Sequence, residues 1–577
     1  MQRLLSEAVA RIGRARRLPW VDLLLVLGLA GLAFAFFDLG REWTGVHRPS
    51  IAIDLSPSAL PRYTMFSLFR GLLAYVVSLG FTLVYGYWAA RDRIAGRVLL
   101  PLLDILQSIP VLGFMPGLIL ALVALFPGSN IGLELAAVIM IFTGQAWNMT
   151  FSFVHSLRSV PADLREVATV YRFSWWQRLR HVELPFATLG LVWNSMLSMA
   201  GGWFFLMINE SFQLGQRDFR LPGIGSYMSV AVEQGRADAM ILAIIAMATM
   251  IAVLDQLLWR PVVVWAQKFR VEEGGEQVLM TSWFLDLLRS SRLVRALRGF
   301  PRRIRAAARP STHPRSTSAP PPAPVTARGG APLSLLALVV LLVILAWGAW
   351  RLAHLLQRVP AAAWGSAAGG GFLTLGRVLI STAIGTLWAL PAGLAIGLSS
   401  RLSRVLQPVV QIAASFPAPM LFPLVIALLQ WAGISLGWGS ILLMLLGTQW
   451  YILFNVIAGA MAIPADLKEV TRSYRFTGWN RFRALYFPGV FPYLVTGWVT
   501  AAGGAWNASI VAEYVTFKGQ TFEAPGLGAQ ISGAAASADF PRLAAAILVM
   551  SVLVVAFNRT VWRWCYRLAE ERFSLSK

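Results

Sequence analysis

Twelve apolar stretches, each about as long as a bilayer is thick, constrain this chain more than anything else in it. Lipid offers the backbone no water to bond. A spanning segment must satisfy its own N–H and C=O groups, which leaves helices or closed barrels. The stretches are continuous rather than alternating, which argues against a barrel. They fall near 19–38, 65–90, 103–126, 131–156, 187–210 and 239–266, then near 333–355, 372–399, 406–431, 438–461, 490–513 and 541–566. Of the 577 residues, 57% are hydrophobic and 13% charged, where a soluble chain carries about 25% charged residues. The fold class is therefore an all-α polytopic membrane protein with about 12 transmembrane helices.

The chain is also written twice. Residues 161–185 and 464–488 match without a gap, from Pro161/Pro464 to Pro185/Pro488, at an offset of 303. Upstream, Arg70/Arg377, Gly86/Gly393, Pro101/Pro408, Pro110/Pro417 and Pro116/Pro423 keep an offset of 307. One half thus has four extra residues between Pro116 and Gly144. Downstream, Gly201/Gly504, Trp203/Trp506, Glu210/Glu513, Pro222/Pro525 and Gly225/Gly528 return to 303. An even number of spans per half gives both halves one orientation, as parallel repeats about an axis along the membrane normal. The expected domains are a basic tail (1–18), a six-span bundle (19–267), a basic Pro-rich linker (268–332) and a second six-span bundle (333–577).

The formal charge of +23 suggests nucleic acid at first sight, but its distribution does not. Arginines crowd the tail (Arg3, Arg11, Arg14, Arg16, Arg17), short loops (Arg91, Arg93, Arg97; Arg401, Arg404) and the linker. That is the positive-inside pattern. It places both termini and both repeated loops in the cytoplasm, with lipid rather than nucleic acid as the surrounding partner. The turns at 127–130 and Trp431 to Trp438 are uncharged and fall outside. In the linker, Arg289, Arg292, Arg295 and Arg298 recur every third residue before the Pro-rich stretch Ala319 to Pro324. Two readings fit: a basic helix on anionic lipid, or a solvated linker helix. Cys565 is the single cysteine, and the five histidines are scattered, so no metal ligand set or catalytic constellation is expected.

Within each repeated loop, Asp163 and Glu166, or Asp466 and Glu469, have the spacing of an N-terminal capping arrangement. A short helix is expected to follow, stopped at Leu184-Pro185 or Phe487-Pro488. This pattern, Glu-x-Ala followed by a polar stretch and Leu-Pro, resembles the EAA loop of ABC importer permeases. The elements Trp203…Glu210…Pro222-Gly223-Ile224-Gly225 and Trp506…Glu513…Pro525-Gly526-Leu527-Gly528 are similar to the nitrate/sulfonate/taurine-type binding-protein-dependent permeases, in a fused, duplicated form. The resemblance implies two six-helix bundles of the type I importer kind. It implies that each loop docks into a cytoplasmic ATPase subunit, through Asp163, Glu166, Ala168 and Arg172 in one copy and Asp466, Glu469 and Arg475 in the other. Thr471 stands where the third loop position is Ala, and Arg172 and Arg475 stand where the family has Gly, so the turn lacks a permissive residue.

No G-x-x-x-x-G-K-[ST] stretch occurs, so the chain has no phosphate-cradling loop. ATP and Mg are expected on two copies of a partner ATPase, with no cofactor and no catalysis in this chain. The resemblance further implies an external substrate-binding protein, alternating access, and a small anion such as nitrate, sulfonate or bicarbonate as cargo, in a bacterial inner membrane. The rival class is an ion-coupled secondary transporter. It needs ionisable groups at midplane, whereas most spans lack acids and Asp255 becomes Asn558 in the second half.

Candidate pathway residues are Arg70, Arg377, Trp203, Trp506, Glu210 and Glu513. Ser67 and Arg70, like Thr374 and Arg377, sit one helical turn apart and suit an oxyanion. Against that, an arginine near the outer end of a span suits snorkelling to headgroups, the favoured reading. Glu210 and Glu513 repel an anion unless paired, and Arg70 and Arg377 are their expected partners. Gly201, Gly202, Gly503 and Gly504 permit close helix approach beside the tryptophans. The Pro-Gly-x-Gly segments line a cavity or form outer turns.

Overall fold

The computed structural model describes residues 19–45, 51–214, 217–269, 281–291, 331–517 and 519–573. The tail, the Pro-rich stretch and Arg292, Arg295 and Arg298 lie outside them. In the first half, α1 (Pro19–Thr44) is followed by α2 (Leu60–Arg91), α3 (Arg93–Ser108), α4 (Val111–Leu125) and α5 (Ile131–Arg158). The loop carries α6 (Ala162–Val170) and α7 (Trp175–Arg178), then α8 (Leu184–Asn209). A hairpin, β1 (Ser211–Leu214) and β2 (Arg217–Arg220), precedes α9 (Ile224–Glu233), α10 (Ala237–Leu254) and α11 (Arg260–Ala266). A short helix, α12 (Trp283–Ser290), lies in the linker and carries Arg289 in its last turn.

The second half repeats the order. It comprises α13 (Ala331–Leu356), α14 (Ala361–Leu398), α15 (Ser400–Ser415), α16 (Phe422–Trp431), α17 (Leu436–Ala462), α18 (Ala465–Ser473), α19 (Gly478–Arg481) and α20 (Phe487–Ala512). The hairpin β3 (Tyr514–Phe517) and β4 (Gln520–Glu523) then leads to α21 (Leu527–Ala536), α22 (Phe540–Phe557) and α23 (Arg563–Arg572).

Nine helices among the described residues are long and apolar enough to span a membrane, and two bent pairs raise this to eleven. The chain is thus an all-α polytopic membrane protein with two small hairpins added. The segment expected at 490–513 is the 26-residue helix α20, which is not among the nine. The segments expected as continuous spans at 103–126 and 406–431 are instead broken, with bends of 97° and 80°. Proline is the cause. Ile109 before Pro110 (ψ 125°) and Phe416 before Pro417 (ψ 128°) are pushed out of helical conformation by the following ring.

Two compact units emerge. One comprises 1–42, 160–193 and 252–341, so it holds the first loop and the end of the first half. In it, Ser291 donates to Asp22 at 2.6 Å and Trp283 donates to Gln256 at 3.1 Å. The other comprises 43–159, 194–251 and 342–577. Here α2 packs on α5, and α14 packs on α17, which packs on α20. Glycine permits the approach: a Cβ on Gly86 would overlap Phe153, and one on Gly393 would overlap the equivalent Val456. In lipid such van der Waals fit, not water exclusion, drives association. Helix α4 of the first half contacts α20, α21 and α22 of the second.

Candidate functional site

Equivalent buried clusters form where α8 and α20 end. Ser67, Arg70, Glu134 and Glu210 are all at 0% exposure. Glu210 accepts from Ser67 Oγ (2.7 Å) and from the Gly225 N–H (2.7 Å), and ion-pairs with Arg70. Arg70 reaches Glu134 through Nε (2.7 Å) and Nη2 (2.8 Å), a bidentate grip, and donates to the Pro222 carbonyl (3.3 Å). In the second half Glu513 accepts from Thr374 (2.9 Å), Arg377 Nη1 (2.8 Å) and the Gly528 N–H (2.9 Å). Ser67 and Thr374 take the N–H of Ile224 (2.9 Å) and Leu527 (2.8 Å), pinning the starts of α9 and α21.

Arg70 therefore does not snorkel. Its charge is neutralised inside, because two carboxylates and a carbonyl replace the water it gives up. Arg377 pairs with Glu513 at 12% side-chain exposure. Glu134 was not anticipated. It is an acid near the start of an apolar span, and that alone is a signal of an interior partner. At an offset of 303 its place falls to Gly437, whose carbonyl accepts from Arg377 Nε at 3.1 Å. The Pro-Gly-x-Gly segments do not line the cavity. Pro222 to Gly225 are buried, and a Cβ on Gly223 or Gly526 would overlap the Glu210 or Glu513 carboxylate.

A separate cavity of about 260 Å³ lies in the larger unit and draws on both halves. Trp147, Trp450, Trp506, Tyr451, Asn148 and Asn507 are among its walls, and among the described residues no Lys, Arg, His, Asp or Glu lines it. Both broken helices begin at it, with Pro110-Val111 and Pro417-Ala418 in the wall. Asn507 of α20 accepts the Val111 N–H at 2.8 Å and so caps α4 across the halves. Trp506 lines the cavity, but Trp203 does not. It is 2% exposed and its ring fills the space over Gly71, where the second half has Val378. Arg70, Arg377, Glu210 and Glu513 are not cavity residues either.

The repeated loops share one local fold. Neither helix is capped by its aspartate: α6 and α18 begin after Pro161 and Pro464 without a side-chain cap, and Asp163 and Asp466 sit in the first turn. Each helix ends in a Schellman turn. The N–H of Phe173 bonds to Ala168 O (2.9 Å) and that of Arg172 to Thr169 O (3.0 Å); Phe476 to Thr471 O and Arg475 to Arg472 O repeat this. The left-handed residues are Arg172 (φ 50°) and Arg475 (φ 52°). The turn expected to lack a permissive residue is therefore made by arginine in the conformation glycine prefers, at about 1–2 kcal/mol of strain each. The capping box lies further on, at Ser174 and Gln177. The following prolines do not stop the chain as expected. A π-turn (Leu179–Glu183, and Phe482–Tyr486) carries it into α8 or α20, absorbing the N–H that proline lacks. Asp163, Glu166, Arg172, Asp466, Glu469 and Arg475 are exposed, while Ala168 and Thr471 are buried.

The profile of the family described as "Binding-protein-dependent transport system inner membrane component" matches residues 82–258 and again 381–569. The nitrate import permease protein NrtB of Synechocystis sp. is 28% identical over 142 residues, 25% of this chain and 50% of that protein. SsuC of Bacillus subtilis, named for aliphatic sulfonates transport, is 27% identical over 148 residues, 26% of this chain and 51% of that protein. The bicarbonate transport system permease protein CmpB of Synechocystis sp. is 28% identical over 142 residues, 25% of this chain and 49% of that protein. The chain spans about half the length of the curated relatives it matches.

Proposed function

The chain belongs to the binding-protein-dependent transport system inner membrane components, and on that premise we propose that it is the translocation subunit of an ATP-driven importer of a small anion. Nitrate, sulfonates and bicarbonate are what the names of its relatives carry. Two copies of a separate ATPase hold ATP and Mg, and an external binding protein delivers the solute. Both loops face the cytoplasm and dock one ATPase copy each. Docking changes with nucleotide state, and the halves alternate between inward- and outward-open forms.

The observation that carries this reading is the doubled loop. The two copies present matching exposed side chains on matching backbones: Val167/Val470, Tyr171/Tyr474 and Trp176/Trp479, at 47/49%, 72/76% and 55/68% exposure. Apolar and aromatic groups held out on a polar loop suit a protein partner. Asp163, Glu166 and Arg172, with Asp466, Glu469 and Arg475, supply the charged rim, while Ala168 packs beneath. In the membrane half of the reading, Trp506 borders the solute path. Trp203 and the Arg70–Glu210 and Arg377–Glu513 pairs brace the helices around it.

The test uses the full chain in nanodiscs with its purified ATPase. Reversing the loop charge in both copies (Glu166→Lys with Glu469→Lys) is expected to abolish ATPase capture, and either alone to halve the stoichiometry. Full capture by the double variant refutes the docking assignment. ATP-independent solute movement driven by an ion gradient refutes the importer reading itself.

A further inference from the structure

We propose that the transported anion is held in the 260 Å³ cavity by neutral donors, chiefly Asn148, Gln411, Tyr451 and Asn558, and not by Arg70 or Arg377. This rests on the importer reading and assigns its solute site. The first ground is charge. A wall without carboxylates does not repel an anion, and one without cations does not trap it. A transit site must bind well enough to admit its solute and weakly enough to release it.

The second ground is unused hydrogen-bonding capacity. All four groups line the cavity, and among the described residues their side chains have no protein partner. Most other polar wall residues are engaged: Gln107 donates to Asp104 (2.8 Å), Asn507 takes the Val111 N–H, and Thr143, Thr448 and Thr500 each bond a carbonyl of their own helix, while the buried Trp147 indole N–H is a further unpartnered donor among the described residues. Carboxamide and phenol hydrogens are the donors that hold an anion without a counter-charge.

The third ground is how the duplication has parted. Frame residues repeat in the wall: Gly144/Gly447, Trp147/Trp450 and Gly201/Gly504. The carboxamides do not. Asn148 faces Tyr451 in the equivalence, Asn558 replaces Asp255, and Gln411 replaces Asp104. Both replacements put a neutral amide where the other half has an acid. The lining is thus one-sided, which suits one solute in one orientation. The two arginines, by contrast, repeat faithfully, are bound to carboxylates and lie outside the wall.

The test is a thermal-shift titration of the full chain in nanodiscs, with nitrate and bicarbonate as probes. Asn148→Lys is expected to tighten apparent binding at least tenfold and Asn148→Asp to weaken it at least tenfold. Asn558→Lys and Asn558→Asp should repeat the signs. Arg377→Gln, compared at equal folded amount, is expected to leave the affinity within twofold. Lys and Asp variants that shift together, or no gain with either lysine, overturn the site. An affinity loss confined to Arg377→Gln returns the anion to the arginines. Ion-driven transport without ATP would end the importer reading while leaving a sign-dependent response intact, so the two failures are distinguishable.

Discussion

Replacing Glu210 by Gln tests the buried cluster most directly. The carboxylate accepts from Ser67, Arg70 and the Gly225 N–H. Glutamine keeps the shape but removes the charge facing Arg70, and it points an NH2 at a group that is itself a donor. Arg70 has no water to turn to, being at 0% exposure. Breaking a buried pair from one side costs about 3–5 kcal/mol, and Glu134 retains part of that as the second carboxylate, leaving about 2–4 kcal/mol. The loss falls on the start of α9, whose Ile224 and Gly225 N–H groups are pinned by the same cluster. Hydrogen exchange over 224–233 should therefore accelerate by roughly 30- to 1000-fold, since about 1.4 kcal/mol is a decade. Mass-spectrometric exchange of the full chain in nanodiscs reads this. Exchange within threefold of the unaltered protein would falsify the claim that the ion pair holds this segment. Glu513→Gln is the internal comparison. Arg377 is partly exposed, so water relieves some of the penalty and the acceleration over 527–536 should be smaller.

Gly223→Ala and Gly526→Ala drive a methyl group into the Glu210 and Glu513 carboxylates, so each should cost about 1–3 kcal/mol, measured as a lower thermal midpoint. Arg172→Gly and Arg475→Gly relieve a left-handed residue and should raise the thermal midpoint while weakening ATPase capture through the lost rim charge, whereas Arg172→Val should lower the midpoint as well, because a β-branched side chain resists that backbone. Asn507→Leu removes the cap from α4 and should lower the thermal midpoint by the equivalent of about 1 kcal/mol. Asp54 outside the membrane is held below the usual carboxylate range by the Ser56 N–H and hydroxyl. Its contribution is present at neutral pH and is lost as pH falls through that lowered value, so exchange of the Ser56 amide should rise only in strong acid.

Much of the molecule was legible in the order of residues. Apolar runs announced the spans, because a backbone in lipid has few alternatives to a helix. Gapless matching of 161–185 with 464–488 announced two equivalent loops, because similar local sequence makes similar local turns. Pro110 and Pro417 were visible as a matched pair, but the bends they impose were not, since proline inside a span is often tolerated. The cap expected at Asp163 falls instead at Pro161, two residues earlier, and the hairpins were missed because four-residue strands carry little periodicity.

What tertiary structure alone decided is how identical letters part company. Trp203 and Trp506 are equivalent in sequence, yet one fills space over Gly71 and the other lines the cavity, and the position of Gly71 is held by Val378 in the second half. Glu134 became an anchor for Arg70 only when α5 was laid beside α2, 64 positions away along the chain. The uncharged cavity belongs to no single segment. Local sequence determines which helices form and where they turn; which side chains face each other depends on how distant helices pack, and that is a property of volumes meeting in space.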